Sequence, residues 1–427
     1  MDKKPEIGDK VKVVFLKKEY EGILLESPQD EKGIILLKLD SGYNIGFNKK
    51  EILEIELLKK QVEIKQEDFD IKKDNKKPNI AMIITGGTIA SKLDPKTGAV
   101  KWLTDPKSLF KFYPDLFKIV NVVKVETPFM KGSEDMDFKD IQKIAKVAEK
   151  LLNDSNIQGI IITHGTDVLH YTSAGLSFFI RNLNKPVVLT YSQRSIDRAS
   201  SDANLNLKCS ALAAISDIAE VILVGHASEN DDFCYAMPGT KVRKMHTSKR
   251  NAFQVINSKP FAKIFENRID ILSEHNLRTK EKVKLDLNFE EKIALVKFYL
   301  GQDPDILDYY FKKGYKGIVL EMTGLGHVSC SGSRNNWLKK LKEVQDKGMI
   351  ICATAQTIYG RLNPLIYSNG RDLMKTGIIY LEDMLSETAL VKLGWVLGHK
   401  EWLKDKEIIK QKMLENFSRE FNNRIEN

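Results

Sequence analysis

The chain has 427 residues, 42% of them hydrophobic and 29% charged, with four cysteines and a formal net charge of +9. That balance excludes a disordered or fibrous protein, and the length exceeds one ordinary domain, so two or three domains are expected. No apolar run is long enough to cross a bilayer and the first residues, Met1-Asp2-Lys3-Lys4-Pro5-Glu6, are polar, which argues for a cytoplasmic protein without a membrane contact.

Residues 1–78 hold 17 Lys/Arg and 17 Asp/Glu, and the tail from Lys400 holds 7 against 6. The excess is therefore diffuse over the middle of the chain and reads better as a solvated surface than as an RNA footprint. Cys209, Cys234, Cys330 and Cys352 contain no Cys-x-x-Cys pair, so they read as buried apolar fillers rather than zinc ligands or disulfide partners.

In chain order, residues 1–58 begin with short β-rich runs at Ile7–Phe15, Tyr20–Leu25, Gly33–Leu39 and Tyr43–Phe47, separated by Gly, Asp and Ser turns. They predict a small SH3-like β-barrel, an accessory domain whose fold alone assigns no role. Residues 59–78 are polar and densely charged and end in Lys77-Pro78, as a linker would. From there the pattern becomes strand, turn and helix in repetition. Apolar runs at Asn79–Thr85, Ile119–Val125, Ile157–Thr163, Val187–Tyr191 and Val221–Val224 read as buried strands. Phe138–Leu152 places Ile141, Ile144, Ala145, Ala148 and Leu152 on one helical face. That alternation predicts an α/β domain with a parallel sheet over residues 79–275. A second block over 276–398 repeats the rhythm with Ile293–Leu300, Gly317–Thr323 and Met349–Thr354 as strands and Pro304–Lys313 and Asn335–Lys347 as helices, a smaller α/β domain. Asp383–Gly398 and Lys400–Arg424 read as amphipathic helices, the second making 399–427 a C-terminal helix, with Trp395 and Trp402 as anchors.

Two segments could carry chemistry. Thr85-Gly86-Gly87-Thr88-Ile89-Ala90-Ser91 follows the first parallel strand, where ligands bind in open α/β sheets. Its glycines let backbone donors approach a ligand and Thr88 offers a hydroxyl beside them, although a plain connecting turn fits the local pattern equally well. It matches neither a Walker loop nor a dinucleotide loop. Thr163-His164-Gly165-Thr166-Asp167 ends another strand ahead of a helix expected over Val168–Leu183, and supplies a second hydroxyl next to a carboxylate. Asp167 is equally suited to a helix N-cap. His164 and His170 have no metal-pair spacing, and no metal is expected.

The two segments, about eighty residues apart in that order, resemble the signatures of the asparaginase and glutaminase family. Further matches follow: Lys131-Gly132-Ser133-Glu134-Asp135-Met136 is similar to its substrate-carboxylate loop, Ser201-Asp202-Ala203-Asn204-Leu205-Asn206-Leu207 to its Ser-Asp-x-x-x-Asn-Leu element, and Lys241-Val242-Arg243-Lys244 to its lysine region. The resemblance covers residues 79 to about 398. It implies Thr88 as nucleophile, with Thr166, Asp167 and Lys244 grouped beside it, and Gly87, Ser133, Glu134, Gly165 and Asp167 at the substrate. Ser133 would take the α-carboxylate and Asp167 the α-amino group. Lys241 and Lys249 stay open as alternatives to Lys244. A lysine acts as base only when burial or nearby cations depress its basicity, and Lys241 and Arg243 are close in sequence. Which threonine the lysine serves is left open. The implied reaction is acyl transfer in two steps, with ammonia released and then the acid, and without a cofactor in this chain.

Members of that family usually carry a tyrosine on the loop after the first motif. Here the loop, Lys92 to Trp102, has none, which argues against full unaided activity. The extra domain, the charged linker and the Lys92-Leu93-Asp94 … Thr97-Gly98-Ala99-Val100 loop are together similar to the D-type subunits of archaeal glutamyl-tRNA(Gln) amidotransferases. That likeness implies a homodimer joined to an E subunit as a heterotetramer, glutamine or asparagine as amide donor, Glu-tRNA(Gln) met mainly through the partner, and ATP and Mg2+ on the partner. A free-standing L-asparaginase with an accessory domain is the second reading, and a catalytically silent RNA-binding or scaffold protein the third.

Overall fold

The computed structural model describes residues 4–25, 33–39, 44–60, 74–93, 100–102, 113–196 and 201–424. Most of the expected linker and residues 94–99 of the loop after the first motif therefore lie outside the described residues.

Five strands open the chain: β1 (Lys10–Val14), β2 (Glu19–Leu25), β3 (Ile34–Leu39), β4 (Asn44–Asn48) and β5 (Glu54–Lys59). They form one antiparallel sheet in the order β4-β3-β2-β1-β5, and among the described residues no pairing closes β4 onto β5. Alternation along β1 buries Val11 and Val13 against Leu37, while the Phe15, Tyr20 and Phe47 rings cluster beside them, with both Phe15 and Tyr20 4.9 Å from Phe47. So small a core holds together because its inward face is aromatic and β-branched.

The central sheet has eight strands. β6 (Asn79–Ile84), β9 (Asn121–Glu126), β10 (Ile160–Thr163), β12 (Val187–Thr190) and β13 (Val221–His226) run parallel. β14 (Cys234–Pro238), β17 (Ala262–Ile264) and β18 (Ile269–Ile271) extend it antiparallel, giving the order β18-β17-β14-β13-β12-β10-β6-β9. Both faces are covered, which is why its strands read as unbroken apolar runs. Ile80 and Met82 pack with the helix Ala203–Ile215 on one side; Ala81 and Ile83 pack with the helices Phe138–Leu152 and Leu169–Phe179 on the other. All five residues expected on the inner face of Phe138–Leu152 are buried. The helix expected over Val168–Leu183 is shorter, because Ile180–Arg181 (β11) leaves it to pair with Lys284–Leu285 (β19).

The second domain is a four-stranded parallel sheet, β20 (Ile293–Lys297), β21 (Gly317–Met322), β22 (Ile350–Ala355) and β23 (Ile379–Tyr380), in chain order. Its helix Ser386–Gly398 shares the main core, where Trp395 stacks on Phe178 of the first domain at 5.6 Å. Beyond it, the helix expected over Lys400–Arg424 is reduced to Lys406–Leu414. The chain then turns because one carboxylate is needed elsewhere. Glu420 accepts from the N–H groups of Phe417 and Ser418 and binds Lys392 at 2.6 Å, with both side chains fully buried. A continued helix would carry Glu420 away and leave an ammonium without its counter-charge in the core. Trp402 stacks on His399 at 3.8 Å in the short link between the two helices. No helix among the described residues is long and apolar enough to cross a membrane.

Glu420→Gln strands the buried Lys392 ammonium, so unfolding in urea should show a loss of about 3–5 kcal/mol. The double variant Lys392→Met with Glu420→Gln should recover a large part of it. Equal midpoints for Glu420→Gln and wild type would show that the pair holds nothing.

Candidate active site

Three loops at the carboxyl ends of neighbouring strands meet beside the sheet. The loop after β6 carries Thr88, the loop after β9 carries Ser133, and the loop after β10 carries Thr166 and Asp167. Hydrogen bonds continue beyond the strand ends and fix their spacing. The Thr85 N–H donates to the Thr163 carbonyl at 3.2 Å, and the Lys131 N–H donates to the Thr85 carbonyl at 3.0 Å.

Glycine permits the rest of the approach. Gly86 and Gly87 have φ of +117° and +82°, where side-chain-bearing residues are strained. A Cβ at Gly86 would lie 2.3 Å from the Lys131 carbonyl oxygen, and one at Gly87 2.5 Å from the Gly165 nitrogen. One at Gly165 would lie 2.8 Å from the Ser133 hydroxyl. Thr88 follows Gly87 and Thr166 follows Gly165, so the two hydroxyl residues come from loops in backbone contact.

Thr88 opens a short 3-10 turn, Thr88–Ala90, and is half-buried, with its carbonyl taking the Ser91 hydroxyl at 2.7 Å. Among the described residues, the N–H groups of Gly87 and Thr88 have no hydrogen-bond acceptor, which leaves them as donors for a bound group. Lys244 closes the group from a distant segment. It ends β15 (Val242–Lys244), which among the described residues pairs with β16 (Phe253–Val255) alone. Its Nζ donates to Thr166 Oγ1 and Asp167 Oδ1, each at 2.8 Å. Of Lys241, Lys244 and Lys249, it is Lys244 that reaches these loops, and it bonds to Thr166 rather than to Thr88. Lys241 instead pairs with Asp383 at 2.8 Å in the core, and Lys249 lies 3.8 Å from Glu229.

Asp167 does not cap the following helix. The residue before that helix is Val168, with no side-chain cap, and the Asp167 carboxylate turns to Lys244. Ser133 is buried, and its Oγ accepts the Asp167 N–H at 3.0 Å, so its own hydroxyl proton stays available for a carboxylate. Glu134 is exposed and makes no hydrogen bond or ion pair among the described residues; its carboxylate folds over Gly132. Of the residues named from sequence, Glu134 alone is not tied into the converging loops.

The cations near Lys244 in sequence, Lys241 and Arg243, each have a carboxylate partner. Lys241 is neutralised by Asp383, and Arg243 Nε binds Glu387 at 3.0 Å. Both carboxylates come from the second domain, about 140 residues away, and nothing local in the sequence announces them. A third pairing is more local: Asp137 and Asp140 form a capping box, and the buried Asp140 takes Lys131 at 2.6 Å, bracing the Ser133 loop.

His164 and His170 are both buried. His164 is fully buried; its Nδ1 lies 2.7 Å from the Gly165 carbonyl oxygen and must carry the proton, so Nε2 accepts from Thr172 at 2.9 Å. Burial pushes His164 down to about 4 and His170, also repelled by Arg243 and Lys244, down to about 3. All four cysteines are buried, and no group of three His, Cys, Asp or Glu among the described residues could hold a metal ion.

Comparison with known proteins agrees with this arrangement. Residues 79–277 match the model of the asparaginase N-terminal domain, 292–413 that of the glutaminase/asparaginase C-terminal domain, and 5–58 that of the GatD N-terminal domain. The glutamyl-tRNA(Gln) amidotransferase D-type subunit of Pyrococcus furiosus is 44% identical over 97% of this chain and 94% of its own length. The chain belongs to the GatD family of glutamyl-tRNA(Gln) amidotransferase subunits. The GatD-family protein of Archaeoglobus fulgidus is 40% identical over 95% of the chain and 93% of its own length. Among solved structures, the thermostable L-asparaginase of Thermococcus kodakarensis superimposes with a TM-score of 0.70 at 28% identity, covering 81% of this chain and 99% of that one. L-asparaginase I of Vibrio cholerae gives 0.69 at 25% identity, with coverage of 81% and 99%.

Gly87→Ala should part the two threonine loops. We expect side-chain amide hydrolysis to fall by about 100-fold, as for other displacements near 1 Å, in a chain whose circular dichroism is unchanged. Full activity would show that the contact between the loops is dispensable.

His164 and His170 are neutral when folded but bind protons near pH 6.5 when unfolded. Their folded values lie below the unfolded one, so the unfolded state takes up more protons and stability falls as pH drops from about 6.5 toward 4. Between pH 7 and 5 each should remove on the order of 2 kcal/mol, read from urea midpoints. His170→Gln should abolish its share, and an unaltered slope would refute the assignment.

Proposed function

We propose that this chain is the ammonia-releasing subunit of a glutamyl-tRNA(Gln) amidotransferase, hydrolysing the side-chain amide of glutamine or asparagine through a Thr88 acyl-enzyme. The observation that carries the reading is Lys244 bonded at once to Thr166 and Asp167, on a loop whose Gly165 touches the Gly87 beside the nucleophile. The amino-acid substrate is held by Ser133 at its carboxylate and by Asp167 at its ammonium. The Thr88 oxygen bonds to the amide carbon, and its proton passes to the site's acid–base group. The N–H groups of Gly87 and Thr88 hold the oxyanion. The C–N bond breaks, and the departing nitrogen takes a proton to leave as ammonia. Water then adds to the ester and frees the acid and Thr88.

Lys244 has three N–H donors, and two are spent on Thr166 and Asp167. As acceptor of the Lys244 bond, Thr166 can aim its own hydroxyl proton at the substrate side. Thr166 is therefore the proton-handling hydroxyl served by the lysine, and Thr88 the attacking one.

The remaining parts of the reading extend to the assembly. The chain works in the cytoplasm as a homodimer with an E subunit, in a heterotetramer. Glu-tRNA(Gln) is met mainly through that partner, which also holds ATP and Mg2+; no cofactor is needed in this chain. The absence of a tyrosine between Lys92 and Trp102 supports an amidase that is slow until the partner and its charged tRNA are bound. A free-standing L-asparaginase is the second reading, favoured by the likeness to the Thermococcus kodakarensis enzyme over most of that enzyme's length.

Ammonia release should vanish in Thr88→Ala and fall about 100-fold or more in Lys244→Met, the scale of a lost acid–base group. It should rise when the partner and Glu-tRNA(Gln) are added to wild type. Activity that survives Thr88→Ala would sink the enzyme mechanism. Asparagine turnover by the isolated chain at the full rate of the complex would favour the second reading.

A further inference from the structure

We propose that Arg243 and Glu387 are positioning residues for Lys244, through which the second domain sets the geometry of the first domain's amine. The inference rests on the reading of Lys244 as part of the reacting group.

The strand that presents Lys244 is poorly held by its own sheet. β15 has three residues and a single neighbour, β16, and an isolated two-stranded ribbon is marginal by itself. A lysine stem is long and flexible, so holding Nζ at 2.8 Å from two acceptors requires a fixed backbone beneath it.

That backbone is gripped on its outer side by the start of the helix Ser386–Gly398. The Thr388 hydroxyl donates to the Thr240 carbonyl at 2.8 Å. Lys241 Nζ meets Asp383 at 2.8 Å with both side chains buried, and the other Asp383 oxygen accepts the Asn422 N–H at 3.1 Å. Arg243 Nε then meets Glu387 at 3.0 Å, one residue from Lys244. Three successive tethers along Thr240–Arg243 thus come from one short stretch of the other domain, Asp383 to Thr388.

Glu387 is suited to the task. It is buried in the first turn of its helix, where the exposed N–H groups favour a carboxylate. Burial raises its pKa, and Arg243 opposes that rise. The other groups around the pair are Asp167 from the second loop, His170 and Tyr171 from the helix Leu169–Phe179, and Glu321 from β21. His170 Nε2 lies 3.8 Å from Glu387, but a histidine kept neutral by burial does not neutralise the carboxylate. Arg243 is the cation Glu387 serves.

The test uses the complete complex and measures ammonia release and melting for Glu387→Gln, Arg243→Gln, Arg243→Lys and the double Gln variant, with Thr88→Ala as reference. We expect each single Gln variant to lower kcat about tenfold with KM within about twofold, since displacement of the amine slows the chemical step without removing a substrate contact. The double variant should be no slower than the worse single one, because both break the same link. Arg243→Lys, which can still pair with Glu387, should regain part of the loss. Arg243 is partly exposed, so its variants keep the test open if Glu387→Gln fails to fold. A kcat within twofold of wild type for Arg243→Gln, or losses that multiply in the double variant, would overturn the proposal. If Thr88→Ala stays active, the enzyme reading itself fails; if Thr88→Ala is dead and Arg243→Gln is fully active, only the positioning role fails.

Discussion

The site exists because three backbones touch where no side chain stands between them. Neighbouring strands of a sheet lie about 4.8 Å apart, and here the chains stay converged beyond the strand ends. Gly86 against Lys131, Gly87 against Gly165 and Gly165 against Ser133 are those convergences. Parallel topology contributes the other half. β9, β6 and β10 are adjacent and point the same way, so the loops bearing Ser133, Thr88 and Thr166 leave the same edge. Everything chemical in the molecule depends on that alignment, including the reach of Lys244.

Buried charge ties the second domain to the first and to the C-terminal turn, and it does so in pairs. Lys241 with Asp383 and Lys392 with Glu420 are each almost fully enclosed. Such pairs give little net stability over an apolar core, but breaking one is expensive, so they fix which partner sits where. Lys392 lies in the helix Ser386–Gly398, Asp383 lies just before it, and Glu387 lies in its first turn. One helix therefore orders both the C-terminal turn and the strand that carries Lys244.

Local patterns in the sequence carried the architecture, and long-range pairings escaped them. The buried strands announced themselves as apolar runs because both faces of the sheet are covered, and the helix Phe138–Leu152 announced itself by its period. The glycine-threonine segments were visible as motifs, although Asp167 read equally as a helix cap until its carboxylate was found on Lys244. Spacing failed to show the partners of Lys241 and Arg243, because Asp383 and Glu387 pair with them from far along the chain. The overlong C-terminal helix failed similarly. The amphipathic period continues past Leu414, but the core's demand for the Glu420 carboxylate outweighs helix propensity there.

The exposure of Asp167 bears on how such a site is controlled. Its side chain is 58% accessible while Lys244, bonded to it, is 14% accessible. In water that contact is weak, and excluding water strengthens every charge interaction around it. A lysine–carboxylate contact open to solvent on one side stabilises a developing charge poorly until something covers it. In the proposed reaction the bound substrate covers part of that open edge. Under the proposed function, a partner docking over that edge would raise the rate by drying the site, with no residue of the reacting group needing to move.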